Sequence, residues 1–374
     1  MTNKEITKVI FNNSEISALY YGDVLIWKKG NESQSGDLNF SGVFNDTVTG
    51  SNNIVIATFE DGTKETITIP YSSTTKEFNY TFEKPLKEME LRNKKIYKSI
   101  THIPNQPNNT TNFDFYFEGC LAEDINISNL DTSKVTDMKN LFHNCTELKS
   151  IDVSNFNTSN VTDMSNMFAN CRALTTLDLS NFDTSKVTNM YSMLSTCVSL
   201  TTLDLSNFNT SNVNNMGYMF SSNKFTTIDV SNFNTSNVTN MGYMFNNCEA
   251  LTTLDLSNFN TSNVTNMSQI FSYCAKLTTL DFGNFNTSNN QSGTGMFWDC
   301  YALTTVTGVF EGIQVDLDLH YSPLTNASAM VFINGLSTAI STTKKLTLKS
   351  STYNTLTPEQ IAVATSKGWT VISA

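Results

Sequence analysis

One phrase, repeated through the middle of the chain, constrains this sequence more than any other feature. From Cys145 it reads CTELKSIDVSNFNTSNVTDMSNMFANC, and closely similar wording then recurs. The phenylalanine of its SNF element falls at Phe156, Phe182, Phe208, Phe233, Phe259 and Phe285, in steps of 26, 26, 25, 26 and 26 residues. The short step lies in SSNKFTTIDV, and an earlier, more divergent copy carries Leu130 in the phenylalanine position. Self-similarity at such a period marks a quasi-linear array in which each copy contacts its neighbours.

Each copy divides in two. LTTLDLSNF places apolar residues at Leu174, Leu177, Leu179 and Phe182 and predicts a short strand followed by a turn. The following segment spaces Val161, Met164, Met167 and Phe168 at intervals that predict a short helical turn. One strand and one helical turn cannot bury both apolar faces alone, whereas stacked copies can. The expected fold is therefore an α/β solenoid of about 26 residues per repeat. Its strands would form a parallel sheet with rungs roughly 4.8 Å apart.

The sulfur residues agree with stacking. All seven cysteines occupy one repeat position (Cys120, Cys145, Cys171, Cys197, Cys248, Cys274 and Cys300), and Asn223 fills the missing slot. An odd number at the repeat period does not read as a disulfide framework, so these thiols are expected to be reduced, buried packing groups. Met138, Met164, Met190, Met216, Met241 and Met267 form a second column of core filler.

Charge and motif content narrow the function classes. The chain carries a net charge of −11, and residues 150–343 hold thirteen acidic against four basic side chains, a net of −9. Such a surface repels nucleic acid. The three histidines (His102, His143, His320) are dispersed, so no metal site or cofactor is expected. Phosphate-loop, dinucleotide and HExxH motifs are not found, nor is a nucleophile with a base beside it. The chain reads as non-enzymatic. No run of about 18 apolar residues suggests membrane insertion. The opening MTNKEITKVIFNNSEIS lacks a basic region followed by an apolar one, so no secretory signal or lipid anchor is expected.

Outside the repeats, residues 1–29 hold two alternating runs about a Gly22-Asp23 turn, which predict a small β docking segment. Residues 30–37 (GNESQSGD) read as a linker. Residues 38–100 contain several short strand-like runs and predict a small Ig-like β-sandwich. Residues 101–118 are expected to cap the solenoid at 119–310, with 311–374 as a C-terminal cap. In that cap 323–336 and 358–367 look helical, and 345–349 and 369–372 look like strands.

The phrase CxxLTTLDLSNFxTSxVTxMxxMFxxC resembles the BspA-type leucine-rich repeats of bacterial surface proteins and Mycoplasma lipoprotein-associated proteins. The tail from HYSPLT to GWTVIS is similar to the closing segment of many such proteins from gut bacteria and their phages. The opening ISALYYGDVLIWKK is similar to N-terminal segments of phage structural and tail-associated proteins. The resemblance implies adhesion, through binding of a protein or glycan. Together with the unrecognised export signal it favours a virion fibre or decoration protein. Such a protein would dock to other virion proteins through its N-terminal region and meet a host surface protein or glycan through the solenoid. A homo-oligomer is compatible with this reading. The alternatives are a bacterial cell-surface or extracellular adhesin and a purely structural virion subunit.

Two candidate surfaces follow from the repeat. Asp152, Asp178, Asp204, Asp229, Asp255 and Asp281 form an acidic ladder among outward Thr and Ser residues. Adjacent carboxylates there repel by about 1 kcal/mol at water-like dielectric, which hydroxyls, solvent, cations or basic partner groups could offset. At positions that vary between copies, Tyr191, Tyr218, Tyr243, Tyr273, Trp298 and Tyr301 accumulate in the C-terminal half. Tyr and Trp offer apolar faces with a polar handle, suited to sugars and protein interfaces.

Overall fold

A computed structural model describes residues 8–12, 15–21, 24–28, 39–44, 54–59, 63–81, 86–91, 97–102, 111–113 and 116–374. Its dominant feature is a β-solenoid of about 11 turns with parallel sheets and few helices. One ladder runs along it as single parallel bridges, from Asn112 through Asp137, Asp163, Asn189, Asn215, Asn240 and Asn266 to Ser292.

The helical turn expected in each copy is corrected. Among the described residues, no helix lies between Asp124 and Leu319. The Met-x-x-Met-Phe-x-x-Cys segment instead passes twice through left-handed backbone, as at Asn166 (φ 54°) and Asn170 (φ 63°). Each such residue ends any right-handed helix, and Asn tolerates the conformation better than most side chains. Alternate amides then divide the work. The N–H groups of Met164, Asn166, Phe168 and Asn170 donate to Asn189, Tyr191, Met193 and Ser195 of the next coil at 2.8–3.0 Å. Those of Met167, Ala169 and Cys171 close local turns onto Met164, Asn166 and Phe168. Every one of these amides has a partner without a helix, which is what a buried backbone requires.

Side chains tie the coils together a second time. Thr132, Thr158, Thr184, Thr210, Thr235, Thr261 and Thr287 are buried. Thr184 Oγ1 donates to the Asn209 carbonyl at 3.0 Å and accepts from the Asn209 N–H at 2.8 Å, a reciprocal pair. Asn181 donates from Nδ2 to the carbonyls of Val153 (3.0 Å) and Phe156 (2.9 Å), and Asn155, Asn207, Asn232 and Asn258 do the same in their coils. Inside, Phe117, Phe142 and Phe168 stack with centroids 5.4 and 5.5 Å apart, and Phe220, Phe245, Phe271 and Phe297 continue the pile beyond Leu194.

The N-terminal segment is an antiparallel meander of β1 (Lys8–Asn12), β2 (Glu15–Tyr21) and β3 (Val24–Lys28), and the predicted Gly22-Asp23 turn lies outside the described residues. The predicted linker 30–37 lies outside the described residues, as do 103–110 and 114–115 of the predicted cap. Six further strands form two sheets. One holds β4 (Asn39–Phe44), β7 (Glu77–Thr81) and β9 (Tyr97–His102), the other β5 (Ile54–Phe59), β6 (Lys64–Thr68) and β8 (Leu86–Leu91). Phe40, Phe44, Phe78 and Tyr97 pack as one aromatic cluster in the core, joined by Val55 and Phe59. This sheet does not stop at residue 100. β9 pairs in parallel with β10 (Asp124–Ile125) of the first coil, so β9 covers that edge of the coil.

At the far end β11 (Thr253–Asp255), β12 (Thr279–Asn286) and β13 (Thr305–Glu311) pair in parallel, followed by a sheet of β14 (Leu317–Leu319), β15 (Lys344–Leu348) and β16 (Trp369–Ser373). α1 (Asn326–Gly335) closes the last rungs by laying Phe332 against Phe297 and Phe310, each at 5.3 Å. Gly335, its last residue, lies so close to β13 that a Cβ there would strike the Phe310 carbonyl oxygen. α2 (Ser350–Tyr353) is a single turn, and α3 (Pro358–Ser366) starts at a capping box between Thr357 and Gln360.

Candidate functional site

The acidic ladder is built into the turns. Each aspartate accepts from the backbone N–H two residues on, as in Asp152 with Ser154, Asp178 with Ser180, Asp204 with Ser206, Asp229 with Ser231 and Asp255 with Ser257, at 2.8–2.9 Å. Asp281 makes the same bond to Gly283 at 3.0 Å. The serine N–H and hydroxyl together hold the first five carboxyls below the usual range, while the neighbouring aspartates push Asp178 back up by a smaller amount. Each aspartate therefore has a structural task as a turn-forming residue.

Beside the ladder, Asp152, Asp178 and Asp204 flank a groove of about 650 Å³ that also exposes Leu177 and Leu203. Among the described residues, strand pairing along this column is confined to β9 and β10 at one end and to β11, β12 and β13 at the other, so the groove opens across the intervening coils that lack it.

The six aromatic candidates separate into two groups. Tyr191, Tyr218 and Tyr243 form a rib along the solenoid, with centroids 5.5 Å apart and then 4.4 Å apart with rings within 7° of parallel. Gln269 continues the rib by donating from Nε2 to the Tyr243 hydroxyl at 2.8 Å. Trp298 folds back over Gly295, so close that a Cβ on that glycine would meet the indole. All these rings are half-buried, and burial with the Tyr243 neighbour pushes the Tyr218 phenol up to about 12. The three tyrosines of the rib pack on one another, which leaves less of their faces open than in an isolated ring.

Tyr273 and Tyr301 differ. They are 45% and 54% exposed, and they line a cleft of about 390 Å³ with Glu249, Ala275, Lys276 and Asp299. Tyr273 sits in left-handed backbone (φ 62°), in the column that other coils fill with Asn144, Asn170, Thr196, Ser222, Asn247 and Asp299. Its N–H donates to the Trp298 carbonyl at 2.7 Å, which ties this wall of the cleft to the next coil. Tyr301 is set by its phenol, which donates to Asp299 Oδ1 at 2.6 Å, and by an edge contact with Tyr321 at 5.4 Å. The hydrogen bond to Asp299 pushes the Tyr301 phenol up to about 12. Glu249 is paired with Lys224 at 2.7 Å. Behind Tyr321, His320 packs at 3.6 Å and bonds Asp318 at 2.6 Å.

Sequence reasoning missed Glu249, Lys276, Asp299 and Tyr321. The first three were legible as departures from the consensus, whereas Tyr321 follows the last recognisable copy and no period points to it.

The cysteines lie as the column implied. All seven are free and buried. The thiols of Cys145, Cys171, Cys197, Cys248, Cys274 and Cys300 face the carbonyls of Phe117, Phe142, Phe168, Phe220, Phe245 and Phe271 at 3.1–3.2 Å. Burial pushes Cys197, Cys248 and Cys300 up to about 12. Among the described residues no group of three His, Cys, Asp or Glu side chains could hold a metal ion, and no helix is long and apolar enough to cross a membrane.

Comparison with curated proteins yields no match, and comparison with solved structures yields none either. Residues 111–227 and 199–310 each match the family described as Mycoplasma protein of unknown function, DUF285. These overlapping matches run through more than half of the 374 residues, and the chain belongs to that family.

Proposed function

We propose that this chain is a non-enzymatic binding and display protein, a virion fibre or decoration component whose solenoid presents the Tyr273–Tyr301 cleft to a host-cell surface. The cleft carries the reading. Two exposed tyrosines stand on a scaffold whose backbone is hydrogen-bonded from coil to coil, so the contact surface is ordered before any partner arrives. Such preorganisation reduces the entropy lost on binding. The virion assignment rests on the sequence resemblance of the opening to phage structural proteins and of the tail to repeat proteins of gut bacteria and their phages, and the N-terminal meander β1–β3 is then the docking element for other virion proteins.

The coil is further read as a leucine-rich-repeat variant of about 26 residues. The asparagine column from Asn155 to Asn258, capping carbonyls of the coil before, supports that assignment. A second placement, as a bacterial surface or secreted adhesin, is favoured by the family, whose description names Mycoplasma.

Mass spectrometry of gradient-purified phage particles, beside washed envelopes of uninfected cells, separates the two. Stoichiometric peptides in the particles support the virion reading, and peptides confined to envelopes overturn it in favour of the adhesin. Deleting residues 119–374 then distinguishes display from a purely structural role. Particles that assemble but fail to adsorb support display, and particles that fail to assemble point to a structural subunit.

A further inference from the structure

We infer that the Tyr273–Tyr301 cleft is a subsite for a neutral saccharide, an assignment that rests on the binding role proposed above and names its ligand class. The argument begins with Tyr273. A bulky side chain in left-handed backbone is strained relative to ordinary backbone, and Asn, found at three other positions of this column, adopts it more readily. Where Tyr218 and Tyr243 take the same strained conformation, their rings recover energy by stacking at 4.4 Å. Tyr273 is 45% exposed and has no such stack among the described residues to offset its strain. A strained residue with an exposed ring fits a contact role better than a packing role.

The second wall is already oriented. Tyr301 is held by Asp299 and Tyr321, and its ring remains more than half exposed. The charges of the lining then select the ligand. Glu249 is paired with Lys224, Asp299 accepts the Tyr301 phenol, and Lys276 adds a cation. An anion would face two carboxylates. A cation would compete with Lys224 and meet Lys276. A polyol without charge finds acceptors on Glu249 and Asp299, a donor on Lys276, and aromatic faces for its C–H side. At about 390 Å³ the cleft lies at the small end of ligand pockets and suits a short segment of a glycan, about one or two rings, rather than a long chain.

The test applies the full chain to an immobilised panel of neutral hexose and N-acetylhexosamine oligosaccharides, with a trimethyl-lysine peptide and a sialylated oligosaccharide as charged probes. Adherence to cell envelopes is measured in parallel. Tyr273→Asn and Tyr301→Ala are compared with Glu147→Gln, at an exposed residue of an earlier coil that lines neither groove. Tyr273→Asn installs the residue that other coils carry at this position, and thermal unfolding beside the parent separates lost binding from lost folding. The expected result is binding of at least one neutral oligosaccharide, weakened tenfold or more by each tyrosine change and unaltered by Glu147→Gln. Preference for either charged probe overturns the saccharide assignment, and neutral binding that survives both tyrosine changes overturns the site. Envelope adherence that depends on Tyr273 without any saccharide binding overturns the ligand class and leaves the display reading standing. Loss of both activities in the unaltered chain overturns the display reading as well.

Discussion

The side-chain amide of Asn223 donates to the carbonyl oxygen of Leu194 at 2.9 Å, the role that a cysteine thiol fills in the adjacent coils. Asn223 is fully buried, donates a second time to Phe220, and accepts the Cys197 N–H at 3.0 Å. It thus repairs the coil in which the repeat is one residue short. Asn223→Ala leaves the Cys197 amide and the Leu194 carbonyl unpaired in a dry interior and is expected to cost about 2–4 kcal/mol. Asn223→Cys restores the column and should cost less. Urea unfolding of both variants checks the order, and an alanine variant as stable as the parent would remove the explanation.

The reciprocal pair between Thr184 and Asn209 predicts a difference between two near-isosteric changes. Thr184→Val keeps the shape and leaves both backbone groups of Asn209 without that partner, at about 1–3 kcal/mol. Thr184→Ser keeps the hydroxyl and is expected to lose less than half as much. Thermal unfolding of the two proteins side by side decides it.

Thr196 is a β-branched residue in left-handed backbone, at φ 61°. Two coils away Asn144 holds the same column position, and its Oδ1 accepts from Asn170 of the intervening coil at 2.5 Å. Thr196→Asn relieves the strain and can extend that chain, so stability should rise by roughly 0.5–1 kcal/mol. A fall in the midpoint of unfolding would show that the threonine makes a contact worth more than its strain.

The ladder and its neighbours predict acid sensitivity. Asp131, Asp152, Asp178, Asp183, Asp204, Asp229 and Asp255 all have carboxyls held below the usual range by serine N–H and hydroxyl groups. A carboxyl depressed in the folded state contributes stability at pH values above its unfolded value, about 3.9, and loses it as pH falls through the folded value. Stability should therefore be flat, as far as these groups are concerned, from neutral pH down to about 5 and decline below about 4. Replacing Asp178, Asp204 and Asp229 together by Asn should lower stability at pH 7 and shrink the decline. An unchanged acid limb in the triple variant would assign the sensitivity elsewhere.

The thiols give a direct test of the packing. Burial raises the pKa of Cys171, Cys197, Cys248, Cys274 and Cys300, and all seven cysteines are buried. A thiol-reactive dye should label almost none of them in the native protein and all seven in guanidinium. Rapid labelling of any one without denaturant would mark a coil that opens locally.

The sequence by itself determined that copies of one phrase stack, which columns face inward, and where the terminal helices and strands fall. Period and polarity suffice for that, because a buried column must repeat its apolar residue in every coil. It could not determine the backbone path of the Met-x-x-Met-Phe-x-x-Cys segment. Spacings of three and four residues arise equally from a helix and from paired left-handed turns, and only the amides donating from Met164 and Asn166 to the next coil decide between them. Nor could it separate Tyr218, whose ring is stacked, from Tyr273, whose ring is open. Both occupy variable positions in the copies, and what distinguishes them is the neighbour across the coil. Asp299, Glu249 and the cap residue Tyr321 come together only when the chain has wound back on itself, so the cleft belongs to the tertiary structure.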